Sequence, residues 1–371
     1  MILFESKYKT MNFDQFPRLP HTPVPIAIIG AGGIVRDGHL PAYSKANFPV
    51  MGIYDVDVDR AFKLKERYPF IENVFTSLAD LIEKALKTKA VFDLAVPASN
   101  ICDILEQIPT GSAVLIQKPM GENLEEARRI FNICQKRQLV SAVNFQLRFA
   151  PYILAAKHIV DLGLIGKIHD MEFKVCVNTP WHLWHFLNGK PRVEVLYHSI
   201  HYLDLIRFFI GNPVRVMAST IKHPNAMELE ATRSSIILDY DRYTQARILT
   251  NHGHIYGPEH QESYFKLEGS KGAIKIKIGV SMDYPKGEPP KMEYIIVEDG
   301  KGWREVPLIG GWFPDAFIGP MASLQNHYQS GQQSPIHYIE DALQTMQLVE
   351  TVYKSSEVGG IKFNYFSENK P

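Results

Sequence analysis

"IAIIGAGGIVR", residues 26–36, runs four apolar residues into three glycines within four positions. A short apolar run that stops at glycine reads as a buried strand. A helical stretch follows near residues 34–47, so Gly30, Gly32 and Gly33 fall where a strand meets a helix N-terminus. Such a terminus offers free N–H groups and partial positive charge, and glycines let a pyrophosphate approach them. Ile34 and Val35 carry the turn into the helix, with Val35 where a third glycine often stands. "VMGIYD" (50–55) is a second strand, and Asp55 closes it 25 residues (55 − 30) after Gly30. An acid there can bind both hydroxyls of an adenosine ribose and would repel a 2′-phosphate. The stretch therefore predicts a dinucleotide site that favours NAD, with NADP the lesser candidate. Arg36 and Arg60 are the nearby side chains that would suit a phosphate instead.

Outward from this stretch, strands and helices alternate. "VDRAFKLKERY" and "SLADLIEKALK" read as helices, the second with Ser77 as its N-cap. "VFDLAVP" (91–97) and "AVLIQKP" (113–119) are strands stopped by Pro97 and Pro119. "NLEEARRIFNICQKR" (123–137) is a helix with acid first and base last, and "LVSAVNF" (139–145) is a further strand. Buried strands alternating with helices imply a doubly wound parallel sheet. After Phe149 the rhythm changes. A helix at 151–162, a strand at 167–178 and a helix at 192–210 lead to successive strands near 213–223, 231–240, 244–252, 262–268, 272–278 and 292–298. Asp241–Arg242 joins two of them like a hairpin, and a long helix at 339–356 ends at Gly359–Gly360. This half predicts an α+β domain with a large, mainly antiparallel sheet. The expected division is an arm over 1–24, its end kept extended by Pro17, Pro20, Pro23 and Pro25, a nucleotide domain over 25–148 and a second domain over 149–371.

Forty basic and forty acidic residues cancel, so no bulk field draws the chain to nucleic acid or to a membrane surface. No window has the length of uncharged apolar residues that a membrane span needs. Cys102, Cys134 and Cys176 form no CxxC pair, which suits a reducing compartment. The first residues lack the apolar stretch of a signal peptide. A cytoplasmic protein is expected, with a small-molecule partner and no nucleic acid or membrane partner.

Three motifs carry a resemblance. Gln117-Lys118-Pro119 follows a strand, "NFQLRFAP" places Asn144, Gln146, Arg148 and Pro151 after the next, and "YHSIHYLD" places Tyr197, Ser199, His201 and Asp204 on a later helix. Their order and spacing resemble the glucose–fructose oxidoreductase / inositol dehydrogenase (Gfo/Idh/MocA) family over about residues 25–360. The resemblance implies a Rossmann domain beside an open antiparallel sheet, with pairing of subunits into homodimers or homotetramers through that sheet. Three positions depart from the family pattern. Gln117 replaces an acid, Tyr197 replaces the aspartate four residues before the histidine, and Ile101 stands where a histidine often follows the fourth strand. Val96, Pro97 and Asn100, together with Gln117, Lys118 and Gln146, complete the expected cofactor contacts, since ligands bind at the carboxyl ends of such strands.

Oxidising a secondary alcohol requires a base for the hydroxyl proton while hydride leaves. His201 is the candidate base and Lys118 the candidate for holding the hydroxyl and stabilising alkoxide character. Tyr197 could orient the imidazole or donate a proton itself. Gln146, Arg148, Trp181, His182 and His198 are candidate substrate residues, with Trp184 and His185 in the same Trp- and His-rich loop. "NHGHIYGPEH" (251–260) is a second His-rich stretch, at the pocket rim or an interface. Glu194, His198 and His201 have a spacing that can converge on zinc, with His182 or His185 added, but nothing requires it and no metal is expected. The leading expectation is an NAD-dependent dehydrogenase acting on a sugar, cyclitol or related polyol. The rivals are an NAD-retaining glycoside-cleaving enzyme and a non-catalytic dinucleotide-binding regulator.

Overall fold

Ile26–Ile29 (β1) is buried at all four residues, as its unbroken apolar run requires. The computed structural model describes residues 13–283, 287–331 and 337–361. Around β1 lie Val50–Tyr54 (β2), Val74–Phe75 (β3), Val91–Leu94 (β4), Ala113–Ile116 (β5) and Val140–Val143 (β6). All pair in parallel in the order β3-β2-β1-β4-β5-β6. The order reverses between β1 and β4, and that reversal opens the crevice where such folds bind ligands. The two-residue β3 is too short to leave a periodic signal in the sequence. Leu40–Lys45 (α1), Val58–Arg67 (α2), Leu78–Thr88 (α3), Ile101–Leu105 (α4) and Leu124–Lys136 (α5) connect these strands. Ser77 caps α3 by accepting from the Asp80 N–H, as expected, and Asn123 caps α5 through Glu126. The first helix departs from expectation. It begins as a π-helical turn, Val35–His39, before α1.

Pro151–Asp161 (α6) leads into a sheet of eight strands: Ile168–Cys176 (β7), Arg215–Ile221 (β8), Arg233–Asp239 (β9), Gln245–Asn251 (β10), Glu262–Gly269 (β11), Gly272–Lys277 (β12), Lys291–Ile296 (β13) and Arg304–Val306 (β14). Their order is β14-β13-β12-β11-β7-β10-β9-β8. Every neighbouring pair is antiparallel except β7 and β10, which run in parallel. Burial alternates along β9 to β13, so one face packs and the other is open. Phe173 of β7 stacks between Phe265 (4.2 Å) and Tyr202 (4.6 Å). Tyr202 belongs to Ile200–Ile210 (α7), which a second π-helical turn, Val195–Ser199, precedes. The stack fixes α7 on the inner face of the sheet.

Ile318–Ser330 (α8) and Ile339–Val358 (α9) complete the chain. The sequence reading does not place α8 or β14. Residues 149–371 were expected to form the second domain, yet α8 packs against β5 and β6 of the first sheet. Part of the arm is tied down. Phe13 is buried against Tyr294 (5.3 Å) and His158, and the Gln15 side chain bridges the Pro307 carbonyl and the Ile309 N–H, each at 2.9 Å. Residues 1–12 of the expected arm lie outside the described residues. No helix among the described residues is long and apolar enough to cross a membrane.

Candidate active site

The glycines of the opening stretch have different reasons. Gly30 has φ +111°, and a Cβ there would stand 2.3 Å from the Ala95 carbonyl oxygen just past β4. The fold itself demands that glycine. Gly32 has no protein atom within 4 Å of the position a Cβ would take, and Gly33 has only the Arg36 guanidinium, at 4.0 Å. Nothing inside the protein explains their missing side chains. They leave open backbone at a helix N-terminus, a cradle that side chains would fill and that a pyrophosphate fits. Asp55 faces the same turn: its Oδ2 accepts from the Ala31 N–H (2.6 Å) and its Oδ1 from the Asp57 N–H (2.9 Å). A carboxylate has about four lone-pair sites, so two remain for ribose hydroxyls. Ile34 is half-buried and Val35 is fully buried in the core. Val96 lies beside Gly30, while exposed Pro97 and Asn100 flank the turn Ala98–Asn100 that leaves β4 on the same crevice.

At the other end, Lys118 follows β5 and is joined to Pro119 by a cis peptide bond. Its Nζ crosses to the second domain and donates to the Tyr197 carbonyl oxygen at 2.6 Å. Burial pushes its pKa down to about 8. His201 lies one helical turn beyond Tyr197 and is 6% exposed, with its ring perpendicular to Trp312 at 5.3 Å. Its Nδ1 is buried without a partner. Burial, then the neighbouring Lys118 and His198, holds its pKa well below the usual histidine range. A neutral imidazole beside a lysine contributed by the other domain can take a proton and stabilise the oxyanion left behind.

A buried chain of polar groups holds Gln117, the residue before this lysine. Asp93, inside β4, accepts from Tyr43 (2.8 Å) and lies 2.7 Å from His39 Nδ1. His39 Nε2 is 3.2 Å from Gln117 Oε1, which accepts from Asn144 Nδ2 at 2.9 Å. The carbonyl of Gln117 is thus turned inward to this network. Gln146 is buried beside the same strand ends, and its Oε1 has no partner. The sequence reading missed His39, Asp93 and Tyr43. An aspartate within the apolar run "VFDLAV" was the available signal, since a buried acid must find partners. Trp312, from a loop with no periodic pattern, left no comparable signal.

Two expectations are corrected. Tyr197 does not reach His201. Its hydroxyl donates to Glu122 (3.3 Å), and burial together with Glu122 raises its pKa far from any proton-transfer range. The π-helical turn rotates its ring away, and only its carbonyl serves the site. Arg148 is not open to a substrate. It is fully buried, its Nε and one NH2 bond the two oxygens of Asp204 at 2.6 Å each, and it also pairs with Asp341. It ties the domain connection to α7 and α9 because a buried guanidinium needs this pairing. Trp181 is half-buried against His252 (5.3 Å), with Nε1 unpartnered, and His182 and His185 are exposed on the same loop. His198 is half-buried and faces His252 at 4.3 Å. His252, from the second His-rich stretch, is drawn into the site, while the half-buried His254 packs on the exposed Tyr256.

Residues 24–145 match the oxidoreductase family with an NAD-binding Rossmann fold, and residues 153–275 match the GFO/IDH/MocA C-terminal domain. The chain belongs to the GFO/IDH/MocA oxidoreductase family. It is 22% identical to D-apiose dehydrogenase of Paraburkholderia graminis over 346 residues, 90% of this chain and 88% of that protein. It is 29% identical to glucose-6-phosphate 3-dehydrogenase of Bacillus subtilis over 268 residues, 70% and 71% of the two chains. Among solved structures, an oxidoreductase from Agrobacterium radiobacter in complex with NAD+, L-tartaric acid and magnesium is similar at a TM-score of 0.74 and 20% identity, covering 91% of this chain and 98% of that one. A 3-ketoreductase from Actinomadura kijaniata in complex with NADP and TDP-benzene is similar at 0.69 and 18% identity, covering 90% and 98%. These likenesses show the fold. One of these two was solved with NAD+ and the other with NADP, so the choice for this chain rests on its own residues.

Proposed function

We propose that this GFO/IDH/MocA protein is an NAD-dependent dehydrogenase acting on a secondary hydroxyl of a sugar, cyclitol or related polyol. The observation that carries this reading is the placing of Lys118 and His201, from two domains, at one end of a crevice whose other end is the open Gly32–Gly33 backbone. Bound nicotinamide would supply the hydride acceptor. His201 takes the hydroxyl proton, and Lys118 holds the oxygen as it becomes a carbonyl. Trp181 offers an apolar face to a sugar ring, and His198 and the unpartnered Oε1 of Gln146 offer polar contacts. Asp55 supports NAD over NADP. So does the pairing of Arg36 with Asp37 and of Arg60 with Asp57, which engages both nearby arginines.

We further place self-association on the open face of the eight-stranded sheet, where Met217, Ile221 and Leu249 are exposed. The three unpaired cysteines support a reducing compartment such as the cytoplasm. The decisive test is NAD-dependent turnover on a panel of sugars and cyclitols, with His201→Ala and Lys118→Ala beside the parent. Loss of at least a hundredfold in kcat in each variant is expected, on the order of what a positioned acid or base contributes. Unchanged turnover in both would remove the proposed mechanism.

A further inference from the structure

Beside Lys118 and His201, the structure gathers Glu194, His198 and His252, whose ligating atoms all lie within 4.8 Å of one another. Glu194 comes from the start of the π-helical turn, His198 from within it, and His252 from the residue after β10. The zinc spacing read from the sequence used His201. The turn instead aims His201 at Trp312, and the second sheet supplies His252.

Two of the three groups are fixed as ligands are fixed. Glu194 is fully buried, and its oxygens accept from Ser199 and from Ser234 (2.6 Å). His252 is 1% exposed, and its Nδ1 lies 2.7 Å from the Thr179 hydroxyl. A carboxylate held by hydroxyls, and an imidazole whose far nitrogen is engaged, are the outer-shell arrangement that orients metal ligands. In the tautomer that donates Nδ1–H to Thr179, His252 Nε2 presents a lone pair to Glu194 Oε1 at 3.3 Å. In that tautomer a cation between the two atoms satisfies both the lone pair and the buried carboxylate; in the other, Thr179 donates to Nδ1 and Nε2–H donates to Glu194. Zinc binds nitrogen and oxygen at about 2.0–2.2 Å, so neighbouring ligands of a tetrahedron stand about 3.3–3.5 Å apart. The observed separation is that of a tetrahedral edge, and it is long for a charged N–H···O bond, which is usually about 2.7–2.9 Å. The third ligand, His198, has a buried Nδ1 with no partner. It completes the set by moving inward by no more than about 1.4 Å, the difference between the widest spacing and the tetrahedral one.

We infer that Glu194, His198 and His252 form a binding site for one divalent cation of the zinc class, with a fourth position open toward the cleft. Two imidazoles and one carboxylate are the donor set that suits zinc and cobalt(II) rather than magnesium or calcium. Three protein ligands with one place left is the arrangement that holds water or a substrate oxygen. His198 is the one half-buried member, so the set is accessible on its side. Under the dehydrogenase reading, that position would take a substrate hydroxyl. The cation site itself does not depend on that reading.

The test uses the full chain, freed of metal by a chelator and then titrated with cobalt(II) chloride, without nucleotide or sugar. One equivalent is expected to bind, to give the intense visible bands of four-coordinate cobalt, and to raise the thermal midpoint as it binds. His198→Gln and Glu194→Gln should each abolish the bands, while His182→Gln, on the exposed loop, should retain them. Circular dichroism checks that each variant is folded. Should Glu194→Gln unfold, the parent spectrum and His198→Gln decide the matter. Absence of stoichiometric binding, a weak six-coordinate spectrum, or bands that survive His198→Gln would overturn the site. None of these readouts involves turnover, so the failure of the dehydrogenase reading leaves them unaffected.

Discussion

Gly30 and Gly32 sit two residues apart and make opposite predictions. An alanine at Gly30 must adopt φ +111° with its Cβ 2.3 Å from the Ala95 carbonyl. A backbone conformation outside the ordinary regions costs about 1–3 kcal/mol, and forcing atoms into a packed site adds about 1–3 more. Gly30→Ala should therefore destabilise the cofactor-free protein by about 2–6 kcal/mol, read by urea unfolding. An alanine at Gly32 meets no protein atom within 4 Å and has an ordinary φ. It restricts the unfolded chain and should stabilise by about 0.4–1 kcal/mol. Its methyl group would occupy the space in which a pyrophosphate meets the helix N-terminus. Losing one charge-assisted hydrogen bond there costs about 1.5–3 kcal/mol, which weakens NAD by about 10- to 150-fold. Calorimetric titration of NAD into both variants checks this. The reasoning fails if Gly32→Ala binds NAD as the parent does, because the glycine would then serve neither the fold nor a ligand.

Further outcomes follow from other residues. NAD at 100 times its dissociation constant should stabilise the parent by about 2.7 kcal/mol in thermal unfolding, NADP by far less, and Asp55→Ser should narrow that gap. Asp204→Asn removes one partner of a fully buried Arg148 and should cost about 3–5 kcal/mol in chemical unfolding; a loss under about 1 kcal/mol would refute the pairing argument. Lys118 has its folded pKa lowered from 10.5 to about 8, so between those values the unfolded chain binds more protons. The stability of the parent relative to Lys118→Met should therefore climb as pH rises from about 8 to 10.5, and a flat difference would place the lysine in water. His198 and His201 have lowered values too, so stability should fall as pH drops below about 6.5, less steeply in His201→Gln.

The dinucleotide half of the site was legible because its signals are local. A strand, its glycines, a helix N-terminus and the acid that ends the next strand lie within thirty residues, and each has a backbone reason. Lys118 and His201 were singled out through a resemblance, as residues in spaced motifs, and their catalytic roles remain the proposal made above. The orientation of α7 was not. Helical spacing placed Tyr197, His198, His201 and Asp204 on or near one face, but the π-helical turn sends Tyr197 to Glu122, and Asp204 is taken by Arg148.

By itself, the sequence determined the parallel sheet, the mainly antiparallel second sheet and the glycine turn that Asp55 faces, because period, capping and glycine act over a few residues. Tertiary structure alone decided which polar groups meet. The pairing of His39 with Asp93, the cluster of Glu194 with His198 and His252, and the removal of Arg148 from the cleft each join residues more than fifty positions apart. A buried charge takes whichever partner the fold brings within hydrogen-bond reach, and the distance along the chain carries no record of that choice.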